Sequence, residues 1–396
     1  AAAVQGKTAG VQVMNTSGAP GSTATLRIRG FSSNGVSDPL YIVDGLKVPN
    51  LNFLDPDNIE SMEILKDAAS AAIYGAEAGN GVVLVTTKTG KKGEGKIFVN
   101  TQNSFLRLAN RVELLNAEDF IQYAIEYSPA KAEELNTYYY NDPTSYVNNK
   151  LADTDWQDLL FDTGYRQRYS VGFQGGNDRG SLYVSLNILD HNGIITGSYD
   201  SFKRLTGQLN ADYQIKEWFG IGITNSIETS KMKQVSESSI LLSNTTSQLY
   251  EIDPLTPLEY SDGLTGTPVV LQDAVEQGWQ PLINPETGNY YGYSRWTGSN
   301  PISSLLLGKD NYSDVFQVNG TLYGNLTPLK NLVFTSRLGY RLYNVYSYSY
   351  RPPYWQATET ALSKSPSLTA TQSGMLYYQW ENFVNYSLQV KQQSLS

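Results

Sequence analysis

The sequence predicts a mixed α/β domain over residues 1–95, followed by antiparallel transmembrane β-barrel strands over residues 96–396. Three observations support this prediction. The composition is rich in tyrosine (29) and glycine (34) and poor in methionine (4), which favours pleated sheet. After residue 95 the hydrophobic pattern changes to a regular period of two. The alternating stretches run for about ten residues, a length typical of strands that cross an outer membrane.

Short strands separated by turn residues are predicted in the N-terminal domain. Residues 40–45 form a strand that runs into a turn at Asp44 and Gly45, where glycine supplies a permissive backbone. Asp67 is predicted to cap an alanine-rich helix over 68–74, which Gly75 ends. Further elements are expected as strands at 11–13, 26–29 and 81–87, and as a helical turn leading into a strand at 57–65.

About eight amphipathic strands are predicted after residue 95. In residues 181–188, for example, Leu182, Val184, Leu186 and Ile188 alternate with serine, tyrosine and asparagine. Alternation alone also fits a soluble β-sandwich. The polar positions, however, carry Ser, Thr, Asn, Gln and Tyr instead of Lys and Glu, and aromatic residues gather near the strand ends, as in a membrane barrel. The strands are expected near 96–106, 166–174, 180–190, 203–215, 218–229, 313–326, 331–346 and 374–391.

The connections between these strands alternate between short and long. Short turns are predicted at 175–178 and 216–218, as on the periplasmic side of a barrel. The long connections, where a ligand would be met, are residues 107–165, 230–312 and 347–373.

Composition excludes several functions. The chain has no cysteine and one histidine, His191, which we expect in solvent or a turn; we therefore expect no metal site, no cofactor and no catalytic triad. A formal net charge of -9 argues against a nucleic-acid partner.

Residues 90–97 nearly match a phosphate-binding loop, but Ile97 replaces the required hydroxyl residue. The acidic pairs Asp153/Asp155 and Glu133/Glu134 are expected to be solvated charges.

A series of motifs carries a family resemblance. They are VQGKTAGV at 4–11, TLRIRGFSS at 25–33, PLYIVDGLKV at 39–48, NIESMEILKDAASAAIYGAEAGNGVVLVTTKTG at 58–90, TDWQDLLFDTG at 154–164, YSVGFQGGND at 169–178, SLYVSLNILDHNGIITGSYDSFKR at 181–204 and NPISSLL at 300–306. Together they resemble SusC/RagA-like TonB-dependent outer-membrane transporters, with the plug domain at 1–95 and the first part of the barrel at 96–396.

The resemblance implies a barrel of roughly 22 strands around a plug. It implies uptake of oligosaccharides or, less often, peptides, with no bond chemistry. The expected partners are the TonB–ExbB–ExbD complex, a SusD-like lipoprotein lid and the lipid of a Bacteroidetes-type outer membrane. About eight strands cannot close such a barrel, so we expect a piece of a longer protein, with the plug truncated at its N-terminus and the TonB box outside this chain. The alternatives are a siderophore or cobalamin receptor, and a surface glycan-binding β-protein that does not transport.

The resemblance also proposes residues that anchor or gate the plug. Arg27 and Arg29 on a plug strand are expected to face wall carboxylates, with Gly30 allowing a tight turn beside Arg29. Glu63 and Lys66 are expected to pair with this arginine cluster. The positions Asp44, Gly45, Tyr74 and Gly75 match plug motifs and are expected to act mainly as turn and helix-stop residues.

One aromatic cluster in the second long loop is a candidate contact surface. Its rings can stack on sugar faces, pack inside the loop or contact the lid lipoprotein, and the sequence leaves these alternatives open. The cluster consists of Trp279, Tyr290, Tyr291, Tyr293 and Trp296.

Overall fold

The computed structural model contains a small plug and an eight-stranded sheet, here called the wall, whose long connections pack together at one end. The residues that the structure describes are 10–14, 17–28, 30, 38–67, 72–148, 150–235, 245–261, 263–295, 299–356, 362–390 and 393–395.

The described residues of the plug form six short strands in two sheets. Strands β1 and β2 form an antiparallel pair, and the other four lie in the order β4-β3-β6-β5, with β3 and β6 parallel. Its apolar core includes Leu26, Leu46 and Val83. The strands are β1 (Val11–Met14), β2 (Thr25–Ile28), β3 (Leu40–Val43), β4 (Leu46–Val48), β5 (Ile59–Leu65) and β6 (Val82–Thr87), and 3-10 turns lie at Pro56–Asn58 and Ala72–Asn80.

The structure describes both the predicted turn and the end of the predicted helix. Asp44 (φ 49°) and Gly45 (φ 84°) form the two-residue turn between β3 and β4, and such a hairpin turn requires positive φ at both positions. Residues 68–71 of the predicted helix lie outside the described residues. Gly75 adopts φ 70° and ψ -157°, so the helical backbone stops there as predicted, and a separate 3-10 turn follows up to Asn80.

The wall is an antiparallel meander in which each strand pairs with its neighbour in sequence. This confirms the predicted strands and their order. The last strand ends earlier than expected, because Leu388–Val390 forms a separate ladder with Gln393–Leu395. The strands are β7 (Gly93–Leu106), β8 (Gly164–Gly176), β9 (Gly180–Asn192), β10 (Ser201–Lys216), β11 (Phe219–Lys233), β12 (Tyr312–Leu329), β13 (Leu332–Arg351) and β14 (Ser367–Tyr386).

Burial in the wall is inverted relative to a soluble protein. Along β9 the apolar side chains of Val184 and Leu186 are 40% and 45% exposed, whereas Ser185 and Asn187 are 4% and 1% exposed. The same inversion holds on β10, where Leu205 and Leu209 are exposed while Thr206 and Gln208 are buried. The buried polar face lies against the plug, and the apolar face is left on the outside, as a lipid-facing barrel requires.

The long connections fold into a module of their own. It is held together by apolar clusters that join different loops; one of them packs Trp156 and Leu160 with Leu249 and Leu305. No helix in the described residues is both long enough and apolar enough to span a membrane. The helices are α1 (Ala117–Tyr127), α2 (Ala130–Leu135), α3 (Trp156–Leu160), α4 (Thr245–Glu251), α5 (Val269–Glu276) and α6 (Pro301–Leu306), with a π-helix at Asn136–Tyr140, 3-10 turns at Pro143–Ser145, Thr196–Ser198 and Gly263–Gly266, and ladders that pair Tyr146–Val147 with Lys150–Leu151, Glu259–Tyr260 with Tyr290–Tyr291, and Tyr354–Trp355 with Leu362–Ser363.

Candidate functional site at the plug and wall

A buried ionic cluster joins the plug to the wall. Asp55 of the plug is 1% exposed and contacts two arginines: Arg168 of β8 by a short ion pair and Arg204 of β10 at 3.5 Å. Arg168 also reaches Asp57 at 3.0 Å, and the Oγ atom of Ser170 donates to the same carboxylate at 3.0 Å. The two carboxylates therefore neutralise the two wall arginines in a site with little water, where charge pairing is strongest.

The local sequence presents these carboxylates to the wall. Pro56 occupies the first turn of the 3-10 segment Pro56–Asn58, where its missing N–H removes no hydrogen bond. Asp55 caps this turn by accepting from the backbone N–H of Asp57 at 2.9 Å. Asn58 completes the contact, since its Oδ1 atom accepts from the hydroxyl groups of Tyr183 (3.0 Å) and Ser185 (2.6 Å) of β9.

A second polar contact connects the hairpin turn of the plug to the wall. The Asp44 carboxylate accepts from the backbone N–H of Thr87 (2.9 Å) and from its hydroxyl (2.6 Å). Asn210 of β10 in turn donates to the Thr87 hydroxyl at 2.6 Å. Burial raises the pKa of Asp44, while the Thr87 hydrogen bonds and the nearby Arg337 of β13 act in the opposite direction.

Gly45 lies directly against the wall. Its carbonyl oxygen accepts from the side-chain amide of Gln379 of β14 at 2.7 Å. A Cβ atom added at Gly45 would overlap the guanidinium group of Arg337. Glycine is therefore favoured at this position by the positive φ, and it also leaves room for the close approach of Arg337.

Substitution of Gly45 by alanine is expected to weaken docking of the plug by about 1–3 kcal/mol, since it adds backbone strain and displaces Arg337 from Asp44. Passive leak of small solutes through the full-length protein, together with its thermal unfolding, measures the effect. Gly30→Ala is the matched control, because Gly30 has a similar φ of 83° but no described atom within 4 Å of an added Cβ. Equal effects of both substitutions would show that contact with Arg337 contributes nothing.

In the buried ionic cluster the polarity is opposite to the one expected, since the wall supplies the arginines and the plug supplies the carboxylates. Arg27 lies on β2 opposite Gln12, and Arg29 lies outside the described residues, so their anchoring role stays a prediction. Glu63 is exposed on β5 and forms no ion pair with any residue that the structure describes, and Lys66 is partly buried just beyond that strand.

Tyr74 has a packing role in the plug. It is half-buried against the small apolar cluster of Ile42, Ala78 and Val82. Burial is the main cause of its raised pKa, with the charge of Glu381 acting in the same direction.

A large cavity lies between the plug and the wall, next to the ionic cluster. Its volume is about 1,230 Å³. The wall residues around it lie between the middle of the strands and the strand ends that face the loop module. His191 is one of them: it lies within β9, so the expectation of a solvent or turn histidine was wrong. In the described part of the chain, no group of three or more His, Asp or Glu side chains is placed to hold a metal ion.

Comparison with known proteins matches this architecture. A sequence model of the TonB-dependent Receptor Plug Domain family matches residues 1–82. TonB-dependent receptor P26 of Formosa agariphila is 31% identical over 346 residues, which cover 84% of this chain and 30% of the relative. TonB-dependent receptor SusC of Bacteroides thetaiotaomicron is 36% identical over 219 residues, 52% of this chain and 20% of the relative. The chain belongs to the SusC/RagA-like TonB-dependent receptors.

A solved structure supports the fold of this receptor chain. A chain of the RagAB peptide importer in its open–open state superposes with a TM-score of 0.77 at 23% sequence identity, covering 99% of this chain and 43% of that one. The receptor chain therefore has the fold of a plug with adjoining barrel strands. It spans 20% to 30% of the length of the two curated relatives above.

The aromatic residues singled out in the receptor sequence pack within the loop module. Tyr291 and Tyr293 are 8% and 6% exposed, and Tyr293 meets Trp355 edge-on at 5.0 Å between ring centroids. Trp279 and Tyr290 are partly buried against the same cluster, and Lys364 Nζ lies 4.5 Å from the centre of the Trp279 ring. Trp296 lies outside the described residues. Of the three alternatives, this geometry favours loop packing for Tyr291 and Tyr293.

The loop module of the receptor contains a buried carboxylate. Asp253 is 2% exposed and accepts hydrogen bonds from the hydroxyl groups of Tyr139 (3.3 Å), Thr256 (3.1 Å) and Ser294. Its backbone carbonyl accepts from the indole N–H of Trp156 at 3.0 Å. Among the described residues Asp253 forms no ion pair, and burial raises its pKa despite the lowering effect of the hydroxyl donors.

This buried carboxylate predicts a pH dependence of loop stability. Because the folded-state pKa is raised, the folded loops bind a proton more tightly than the unfolded ones. Stability is therefore greatest below the ordinary value of 3.8 and falls as the pH rises from there towards the raised pKa. Asp253→Asn is expected to remove this part of the dependence and to stabilise the loops at neutral pH. Hydrogen exchange of the loops, measured at several pH values in both proteins, tests this; identical pH profiles would contradict it.

The sequence contained a signal for the wall arginines that the motif analysis missed. Arg168, Arg204 and Arg337 all stand on the polar faces of their strands, which carry mostly neutral residues elsewhere. A charged residue on a buried polar face requires a partner of opposite charge. Asp55 and Asn58 gave no comparable signal, because a turn with this sequence is equally common at a surface.

Proposed function

We propose that the full-length receptor is an energy-coupled importer of large nutrients in a Bacteroidetes-type outer membrane. Oligosaccharides are the leading substrate class, the TonB–ExbB–ExbD complex supplies the energy, and a SusD-like lipoprotein closes the outer side. The supporting observation is a plug held by a discrete ionic cluster against the polar face of an inverted sheet. The proposal includes a plug–barrel boundary near residue 95 and no catalytic step.

The chemistry of the plug–wall contact fits a plug that is pulled aside and returns. The contacts described above are hydrogen bonds and ion pairs between polar faces. When the plug moves, water replaces these partners at a modest net cost, since a typical hydrogen bond contributes about 0.5–1.5 kcal/mol net. An apolar interface of the same extent would expose its surface to water and resist displacement more strongly.

Growth of a strain that lacks the receptor gene tests the proposal. Growth on a panel of glycans and peptides as sole nutrient is expected to fail for at least one glycan and to recover when the full-length gene is restored. If growth requires the receptor only when peptides are the nutrient, the proposed substrate class changes from oligosaccharides to peptides, the class that RagAB is named for. Growth on every nutrient, or a full-length product that is freely soluble without detergent, would refute import.

The anchoring role of Arg27 and Arg29 remains part of this proposal. Arg29→Ala in the full-length receptor is expected to loosen the plug and to raise the passive leak of small solutes. Unchanged leak and uptake would return both arginines to an ordinary surface role.

A further inference from the structure

Among the described residues, four arginines line the cavity beside the plug. Two of them, Arg168 and Arg204, are neutralised by the plug carboxylates described above. The other two, Arg166 of β8 and Arg341 of β13, also line the cavity but have a different environment.

Neither Arg166 nor Arg341 has a carboxylate partner among the described residues. Arg341 lies 5.4 Å from the centre of the Tyr377 ring, and one of its terminal nitrogens reaches the sulfur of Met375 at 3.5 Å. Its Nε atom is buried without a hydrogen-bond acceptor in the described structure. Arg166 is exposed on the same face of β8 as Arg168, opposite His191 of β9, whose buried Nε2 atom is likewise without a partner.

The carboxylates that line this cavity do not neutralise these two arginines. Among the described lining residues they are Asp38 and Glu228, and neither forms an ion pair with Arg166 or Arg341. Glu228 is 5% exposed and accepts a hydrogen bond from the side-chain amide of Gln317 at 2.7 Å. Within the described part of the chain, the cavity therefore offers two guanidinium groups without a matching carboxylate, although the chain as a whole is acidic.

We propose that this cavity binds an acidic oligosaccharide through its carboxylate or sulfate groups, an inference that rests on the proposed import function. A guanidinium group binds both kinds of oxyanion through paired N–H donors, and such charge-assisted bonds are the stronger ones. Phe202 and Tyr343 line the same cavity and supply ring faces for sugar rings. The volume exceeds that of a typical small-ligand pocket, about 300–1,000 Å³, and so suits a chain of several sugars.

Binding to the purified full-length receptor in detergent, measured by calorimetry, tests this assignment with matched pairs of ligands. The first pair is an oligogalacturonate and its methyl ester, which has the same backbone without the charge. The second pair is a sulfated galactan oligosaccharide and its desulfated form. At least one charged member is expected to bind about tenfold or more tightly than its neutral partner, with the difference shrinking as salt is added. Equal affinity within both pairs, or binding of neither, would overturn the proposal.

Two substitutions locate the binding groups. Arg166→Gln and Arg341→Gln are each expected to lower the affinity for the charged member towards that of its neutral partner and to leave the neutral partner unaffected. Arg179→Gln, in the short turn between β8 and β9, is the control and is expected to change nothing. Arg166 is exposed, so its replacement leaves the packing intact, and heat-modifiable migration on a gel verifies that each variant is folded. Unchanged affinity in both cavity variants would overturn the assignment to this cavity.

The outcomes separate this inference from the proposed function. A receptor that is required for growth on a neutral glycan, with both arginine variants fully active, would refute the acidic ligand and leave import intact. A receptor that no glycan or peptide requires would refute import itself. An acidic peptide, such as an oligoglutamate of similar length, that binds as tightly as the charged sugar would overturn the choice of an oligosaccharide.

Discussion

Replacement of Leu186 by arginine is expected to destabilise the membrane-inserted receptor by about 2–4 kcal/mol, the cost of a charge on the lipid face of a barrel strand near the bilayer midplane. Leu186 lies in the middle of β9 and is 45% exposed, between two buried polar neighbours. If this face met water, the same substitution would be nearly neutral, since surface changes usually stay within about 0.5 kcal/mol. The variant therefore distinguishes a membrane wall from a soluble sheet.

Urea unfolding of the full-length receptor in lipid vesicles measures this effect. The matched control is Tyr127→Arg on α1, because Tyr127 is 77% exposed but belongs to the loop module. The control is expected to unfold like the parent protein. Equal stability of the two variants would contradict a lipid-facing β9.

Loss of the Asp55 carboxylate is the second large effect that we expect. Asp55→Ala leaves Arg168 and Arg204, whose side chains are 14% and 11% exposed, without their shared partner. Removing one member of a buried ion pair typically costs about 3–5 kcal/mol, because the remaining charge stays buried. We therefore expect the plug to detach more readily and the passive leak of small solutes through the full-length receptor to increase.

A surface ion pair at the plug–barrel junction supplies the control. Lys92 contacts Asp178, and their side chains are 73% and 79% exposed. Lys92→Gln is expected to change stability by about 0–1 kcal/mol and to leave the leak unaltered. If Asp55→Ala leaks no more than Lys92→Gln, the ionic cluster does not hold the plug.

The sequence predicted those parts of the fold that depend on local periodicity. The alternation in residues 181–188 gave both the strand and the assignment of Leu186 to the outer face, because successive side chains of a strand point to opposite sides. The turn at Asp44 and Gly45 was equally predictable, since few residue pairs accept two positive φ angles in a row. The sequence motifs also placed the plug before the barrel strands, in agreement with the structure.

Tertiary structure alone decided which groups meet across the plug–wall contact. Asp55 and Arg168 are separated by 113 residues, and nothing in either local pattern indicates that they pair. Arg27 and Arg29 are conspicuous in an acidic chain and suggested that the plug supplies the cations, whereas the buried pairs take their cations from the wall. The same limit applied to Tyr293, whose ring faces Trp355 within the loop module and not solvent.

Amphipathic period and turn chemistry are properties of neighbouring residues. From them the sequence by itself determined a mixed α/β domain followed by inverted barrel strands, and the family motifs identified that domain as a plug. Ionic partners, the buried aromatic rings and the cavity beside the plug arise where distant segments pack together. Their positions depend on how the plug is rotated against the wall and on how the long loops fold over each other. Both are set by the sum of many packing contacts, which no single stretch of sequence contains.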